Sequence, residues 1–144
     1  MTTIHASPVS DKALMRDFIK SGSYVASRFA EWIPRLELEM HDHLSPKNPY
    51  FQTAEVLFLV AYDDKGKPEG RLSLQFPKAA PGTGHFGFPA AINKTTLEAL
   101  LKEAERICRS KGCDILEGPY SFSMNDEVGL LIDGFDRPKR LLMN

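Results

Sequence analysis

The sequence predicts an α/β (α+β) fold built on a mixed, mostly antiparallel sheet flanked by helices, and three observations carry that prediction. Two β-type runs, Glu55 to Tyr62 and Gly70 to Phe76, are joined by Asp63-Asp64-Lys65-Gly66-Lys67-Pro68, whose glycine and aspartates suit a hairpin loop. The segment from Thr95 to Arg109 repeats apolar residues at helical spacing. A short apolar run, Cys113 to Glu117, follows that helix at once. The path through the helix is therefore a crossover, which makes its two flanking strands parallel.

Taken in order, Thr2 to Ala6 alternate weakly between polar and apolar residues and read as a short edge strand. Ser10 stands where an N-cap is expected. Leu14, Phe18 and Ile19 form one stripe of a helix that runs through Lys20 and stops at Ser21-Gly22-Ser23. From Tyr24 the apolar positions Val25, Phe29 and Trp32 lie roughly one turn apart, and Pro34 suits the first turn of a second helix carrying Leu36, Leu38, Met40 and Leu44. Ser45-Pro46-Lys47-Asn48-Pro49 then forces a loop.

Within the hairpin, Leu72, Leu74 and Phe76 alternate with Arg71, Ser73 and Gln75, which gives one apolar and one polar face. Pro77 to Gly84 is a second loop, and His85-Phe86-Gly87-Phe88 is a third strand that completes an antiparallel meander. Thr95 opens the next helix, with Glu98 placed to return the capping-box hydrogen bond. Leu97, Leu100, Leu101, Ala104, Ile107 and Cys108 share one face of it, while Glu98, Lys102, Glu105, Arg106 and Arg109 occupy the other. Gly112 ends it as a left-handed cap. Gly118-Pro119 breaks the last strand, and Asn125 to Ile132 read as a brief helix running into Gly134. The order is β-α-α-β-β-β-α-β-α.

A length of 144 residues fits a single domain spanning 1–144. With 42% hydrophobic and 26% charged residues, the composition sets aside a disordered chain, a collagen or a disulfide-stapled miniprotein. Eighteen basic against nineteen acidic side chains leave a net charge of -1, so no global field draws the chain to nucleic acid or an anionic membrane. Its longest apolar stretch, Val56 to Tyr62, falls far short of the roughly 20 residues of a transmembrane segment. The start, Met1 to Ala6, lacks the features of a secretory signal, and Cys108 and Cys113 are too few for a disulfide framework. A cytoplasmic chain with free thiols is expected.

Several phrases in this order carry a resemblance: Asn48-Pro49-Tyr50-Phe51, Gly70-Arg71, Gly84-His85-Phe86-Gly87-Phe88, and above all the run from Gly118-Pro119-Tyr120 through Asn125-Asp126-Glu127 to Gly134-Phe135. Together they resemble the GNAT-like acyl-CoA N-acyltransferase superfamily, and within it a group of long bacterial acyltransferase-like proteins. Some of that group are linked to N-acylation of sphingoid bases in bacterial ceramide synthesis. The resemblance implies acyl-CoA as co-substrate, held in a gap between the fourth and fifth strands. It also implies a further acyltransferase-like half, so the chain is expected to be a truncated or half domain short of the final strands. In the superfamily a glycine-rich loop after the fourth strand grips the CoA pyrophosphate with backbone N–H groups at a helix N-terminus. Here that loop, Pro89 to Thr96, has no glycine. Lys94, Thr95 and Thr96, with the N–H groups of Thr96 and Leu97, are left to attract a phosphate. Phe88, with Phe86, Phe51 and Tyr50, would line an acyl channel or pack the core.

Acyl transfer to an amine needs a route for the amine's proton and donors for the carbonyl oxygen as it becomes an oxyanion. Asn125-Asp126-Glu127 follow the fifth strand at the sheet edge where open sheets bind ligands. Glu127 is the candidate base, acting through water, and Asn125 a polar contact; the same residues equally suit an N-cap and first turn. Tyr120, Ser121 and Ser123 are candidate substrate contacts, the serines facing either a cleft or the core. No Gly-x-Ser-x-Gly elbow supports a serine hydrolase. His41 and His43 point to different sides of a helix, and no metal site is expected. Arg137, Lys139 and Arg140 form a basic cluster that would meet phosphates or remain a solvated tail.

Two functions follow. The first is an acyl-CoA-dependent N-acyltransferase domain acting on a small-molecule amine or lipid base. The alternative is a non-catalytic GNAT-like half that supports a catalytic partner domain or binds a small molecule without acyl transfer. A homodimer or a partner domain is expected, and nucleic acid is not.

Overall fold

The computed structural model describes residues 1–31, 36–123, 125–134 and 136–137. Trp32 and Pro34, Phe135, and Lys139 and Arg140 of the basic cluster lie outside the described residues. The elements are β1 (Thr3–Ser7), α1 (Lys12–Ala26), α2 (Glu37–His43), α3 (Tyr50–Thr53), β2 (Ala54–Tyr62), β3 (Pro68–Pro77), β4 (Thr83–Ala91), α4 (Lys94–Ser110) and β5 (Ile115–Glu117). They build an open five-stranded sheet in the order β1-β2-β3-β4-β5. The first four strands pair antiparallel, and β5 joins β4 in parallel. The crossover through α4 therefore gives the parallel pair that the sequence predicts.

Each face of the sheet carries its own cluster. Leu59, Ala61, Leu72 and Leu74 bury against Leu100, Ala104 and Ile107 of α4. Val56, Phe58 and Val60 bury on the other side against Leu14, Met15, Phe18 and Ile19 of α1 and Met40 of α2. Period-two alternation in β2 feeds both layers, because successive side chains point to opposite faces.

Four local expectations change. Asp11, not Ser10, caps α1, its carboxylate accepting the Leu14 N–H at 3.0 Å. That helix runs on through Ser21-Gly22-Ser23 to Ala26. The Ser21 hydroxyl donates back to Phe18 O at 2.8 Å, which removes the serine's competition with the helix. Gly22 is there for a close approach: a Cβ would lie 2.3 Å from the Arg71 guanidinium carbon. At α4 the cap is Asn93, whose Oδ1 takes the Thr96 N–H at 2.8 Å. Thr95 and Glu98 form no capping box, and Glu98 instead pairs with Lys94 one turn earlier at 3.6 Å. Gly112 ends α4 in the left-handed region, as expected, with φ of 74°.

The fourth change is the largest. No helix forms among the described residues from Asn125 to Ile132. The chain turns at Ser123, whose hydroxyl donates to Asp126 Oδ2 at 2.8 Å and accepts the Asn125 N–H at 3.2 Å. Residues 127–129 then return alongside 119–121. Ser121 N–H donates to Glu127 O at 2.9 Å, Gly129 N–H to Pro119 O at 3.3 Å, and Tyr120 bridges Val128. Short polar side chains that bond their own backbone offer an alternative to a helix, and here that alternative wins.

Candidate functional site

The site is built where β5 leaves β4. Their pairing covers only Thr83–Ile115, Gly84–Leu116 and His85–Glu117, while β4 continues to Ala91. Two steps on β3, from Arg71 to Ser73, face three on β4, from Ala90 to Gly87. This extra residue is a bulge, and it places Phe88 at φ of 50°. Bulges re-aim side chains and interrupt pairing, often beside functional sites.

Beyond Glu117 the chain crosses onto the α1 side of β4. Tyr120 N–H donates to Phe86 O at 2.8 Å, and the Ser121 hydroxyl accepts the Phe88 N–H at 3.2 Å. Gly87 permits this crossing, since a Cβ there would lie 2.0 Å from Tyr120 O. Beneath the crossing lies the polar face of β3. Ser73 and Gln75 are fully buried and Ser121 nearly so. The Gln75 amide donates to Ser73 Oγ at 2.7 Å and to Tyr120 O at 3.2 Å. Its own oxygen is buried and has no hydrogen-bond partner among the described residues. A buried amide oxygen left this way costs about 1–3 kcal/mol, so it marks a place that a donor would satisfy.

Phe122 continues the crossing into an aromatic cluster. His43 stacks on it at 5.1 Å and Tyr50 at 4.5 Å, and Phe88 meets it edge-on at 5.1 Å. An open cavity of about 310 Å³ lies beside this stack, lined by His43, Asn48, Tyr50, Phe122, Ser123 and Asp126. Burial raises the Tyr50 hydroxyl above the ordinary tyrosine range, so its ring presents a neutral wall.

The sequence-selected residues divide. Phe88, Tyr120, Ser121 and Ser123 converge on the crossing segment, with Phe88 packed in the core and its backbone N–H turned to Ser121. Asn125 is exposed at the turn and Glu127 is half-buried on the returning arm. Lys94, Thr95 and Thr96 gather instead at the start of α4. There the Thr96 N–H is spent on the Asn93 side chain and the Leu97 N–H on Asn93 O at 3.2 Å. Thr96 itself is buried, its hydroxyl donating to the buried Glu69 carboxylate at 3.2 Å. Lys94 is exposed, and the Lys94 and Thr95 N–H groups have no partner among the described residues. Sequence reasoning missed Ser73 and Gln75, whose alternation leaves open which face another element covers, and His85, whose partner depends on strand register.

The open mixed sheet, the bulged β4 and the parallel β5 make a fold like that of solved GNAT proteins. No protein-family model matches the sequence. A tandem GNAT protein from the clavulanic acid biosynthesis pathway superposes with a TM-score of 0.59 at 16% identity, over 78% of this chain and 34% of that one. The PaiA N-acetyltransferase from Thermoplasma acidophilum, solved in complex with coenzyme A, superposes with a TM-score of 0.50 at 18% identity, over 84% of this chain and 80% of that one. In sequence the chain is 36% identical to the bacterial ceramide synthase of Caulobacter vibrioides over 94% of its own length and 37% of that protein. It is 35% identical to the protein YghO of Escherichia coli over 90% of its length and 34% of that protein. The chain thus spans about a third of the length of these curated relatives. Among the described residues no helix is long and apolar enough to cross a membrane.

Proposed function

We propose that the chain is an acyl-CoA-dependent N-acyltransferase domain that moves an acyl group from the CoA thioester to the amine of a small molecule or lipid base. The observation that carries this reading is the end of the β4–β5 pair after three residue pairs, beside a bulge over a buried polar strip. The Phe88 N–H is the donor for the developing oxyanion, reached when the Ser121 hydroxyl gives way to the carbonyl oxygen. The Gln75 oxygen and the hydroxyls of Ser73 and Ser121 supply polar partners for the acceptor amine. Ser123, Asn125 and Glu127 at the turn, with Tyr120, form the mouth. The aromatic cavity at Phe122 gives an apolar chain a wall, which fits the long-chain amine suggested by the name of the Caulobacter relative. Lys94 and the N–H groups of Lys94 and Thr95 are the groups that would hold the CoA phosphates.

One observation favours the second reading, a non-catalytic half. At the start of α4 two N–H groups are committed to Asn93, and the buried Glu69 carboxylate accepts from both Thr2 at 2.9 Å and Thr96. An internal anion beside a helix N-terminus opposes a second one. The deciding experiment is thermal unfolding with CoA and with a long-chain acyl-CoA. Ligand at about 100 times its Kd stabilises the folded state by about 2.7 kcal/mol, so an acyltransferase domain melts measurably higher. A melting temperature unmoved by millimolar-range CoA would point to the non-catalytic half.

A further inference from the structure

One pair of side chains on the α1 side of the sheet has no role in the reading above. His85 on β4 and Glu117 on β5 stand side by side through the parallel register. The imidazole Nε2 lies 3.1 Å from Glu117 Oε1. The Tyr120 ring meets the imidazole at 5.3 Å, and across the sheet His85 pairs with the buried Gln75. The His85 side chain keeps 22% of its surface in solvent and Glu117 keeps 51%, so the imidazole borders both the buried polar strip and the open edge. The titratable groups against it are Glu117 on β5 and Tyr120 beyond it; β3 offers only the uncharged Gln75.

The proposed chemistry asks for such a group. An alkyl amine is mostly an ammonium ion near neutral pH and must lose a proton before or as it attacks a thioester. Histidine is the side chain suited to taking a proton in that range, and a carboxylate beside it stabilises the charge it gains. Resting on the acyltransferase reading, we infer that His85 is the general base of the transfer and that Glu117 is its positioning residue. The ammonium first gives up one proton to solvent; the free amine nitrogen then bonds to the thioester carbonyl carbon and its next proton passes to His85. The carbon–sulfur bond breaks, and the leaving thiolate takes that proton from the imidazolium to become free CoA thiol. Glu127, on the far arm of the 119–129 turn, then contacts the substrate without taking that proton.

The test follows thiol release from palmitoyl-CoA in the presence of a long-chain amino alcohol, with the 144-residue chain. His85→Ala lowers kcat about a hundredfold or more while both KM values stay within about twofold, and added imidazole restores part of the rate. His85→Gln carries the same comparison should the alanine variant melt early. Glu117→Gln lowers kcat about tenfold, and Glu117→Asp, which keeps a carboxylate, recovers most of that loss. Transfer by both His85 variants at more than about a third of the wild-type rate, or a loss seen only with Glu127→Gln, overturns the assignment and leaves the acyltransferase reading standing. No transfer by the wild-type chain to any long-chain amine overturns both.

Discussion

The two faces of β3 are equally buried and are held by opposite means. Toward α4, Leu72 and Leu74 pack into an apolar cluster with Leu100, Ala104 and Ile107. Toward α1, Ser73 and Gln75 are just as inaccessible, yet their partners are the hydroxyl and backbone of one another and of the crossing segment at Tyr120. Burial of polar groups is tolerated only with hydrogen bonds. Gln75 Oε1 has no hydrogen-bond partner among the described residues, so this face gives up some stability that the apolar face keeps. The difference separates the scaffold from the site within a single strand.

The sharpest way to break the scaffold half is Leu74→Ala. Leu74 is fully buried beneath α4, and truncation of such a side chain costs about 3 kcal/mol, within a range of about 2–5. Urea unfolding should show that loss, whereas kcat measured well below the new melting temperature should hardly move. A comparable fall in kcat with little change in stability would mean that the apolar face takes part in the chemistry.

The counterpart on the site half is Gly87→Ala. The added Cβ would meet the Tyr120 carbonyl oxygen at 2.0 Å, a contact with backbone that no rotamer change relieves. Overpacking of this kind costs about 1–3 kcal/mol, less than the Leu74 cavity. Its effect should concentrate on the crossing segment, where faster hydrogen exchange at Tyr120, whose N–H bonds Phe86 O, and at Phe88, whose N–H bonds the Ser121 hydroxyl, would report the loss of its hold on β4. Unchanged exchange at those two amides would mean that the segment is fixed by other contacts.

Legibility in the sequence follows the same division. The meander and α4 were readable because each depends on one periodicity and on side chains whose burial is their whole role. Every strand of the sheet was anticipated, and the structure mainly lengthens β4 and trims β5. The α1 side was legible only in part. Alternation marks Arg71, Ser73 and Gln75 as a polar face, and nothing in it reveals that Phe122 and its neighbours will fold over that face. The turn at Ser123 defeated a helical reading through hydrogen bonds of 2.8 and 3.2 Å between side chain and neighbour. His85 and Glu117 are far apart in the chain, and only the parallel register joins them. Pieces of the site that depend on long-range register are beyond local pattern, while the phrase that contains His85 was visible as a resemblance.

The smallest effect sharpens the comparison at the rim of the α1 side. Tyr62, at the end of β2, donates its hydroxyl to Asp17 Oδ2 at 2.9 Å. Burial first, and then this hydrogen bond and the Asp17 charge, push the phenol well above the ordinary tyrosine value. A group that holds its proton more tightly when folded contributes stability that is fully present below its unfolded pKa, about 10 for tyrosine, and is lost as pH rises through the folded value. Tyr62→Phe should therefore cost about 1 kcal/mol near pH 8, and the gap to wild type should close as alkaline pH strips the wild-type contribution. Urea melts of both proteins at a series of pH values would check this. Parallel curves through the alkaline range would show that Tyr62 titrates alike in both states and that this rim bond, unlike the Gln75 network, is not coupled to folding through its proton.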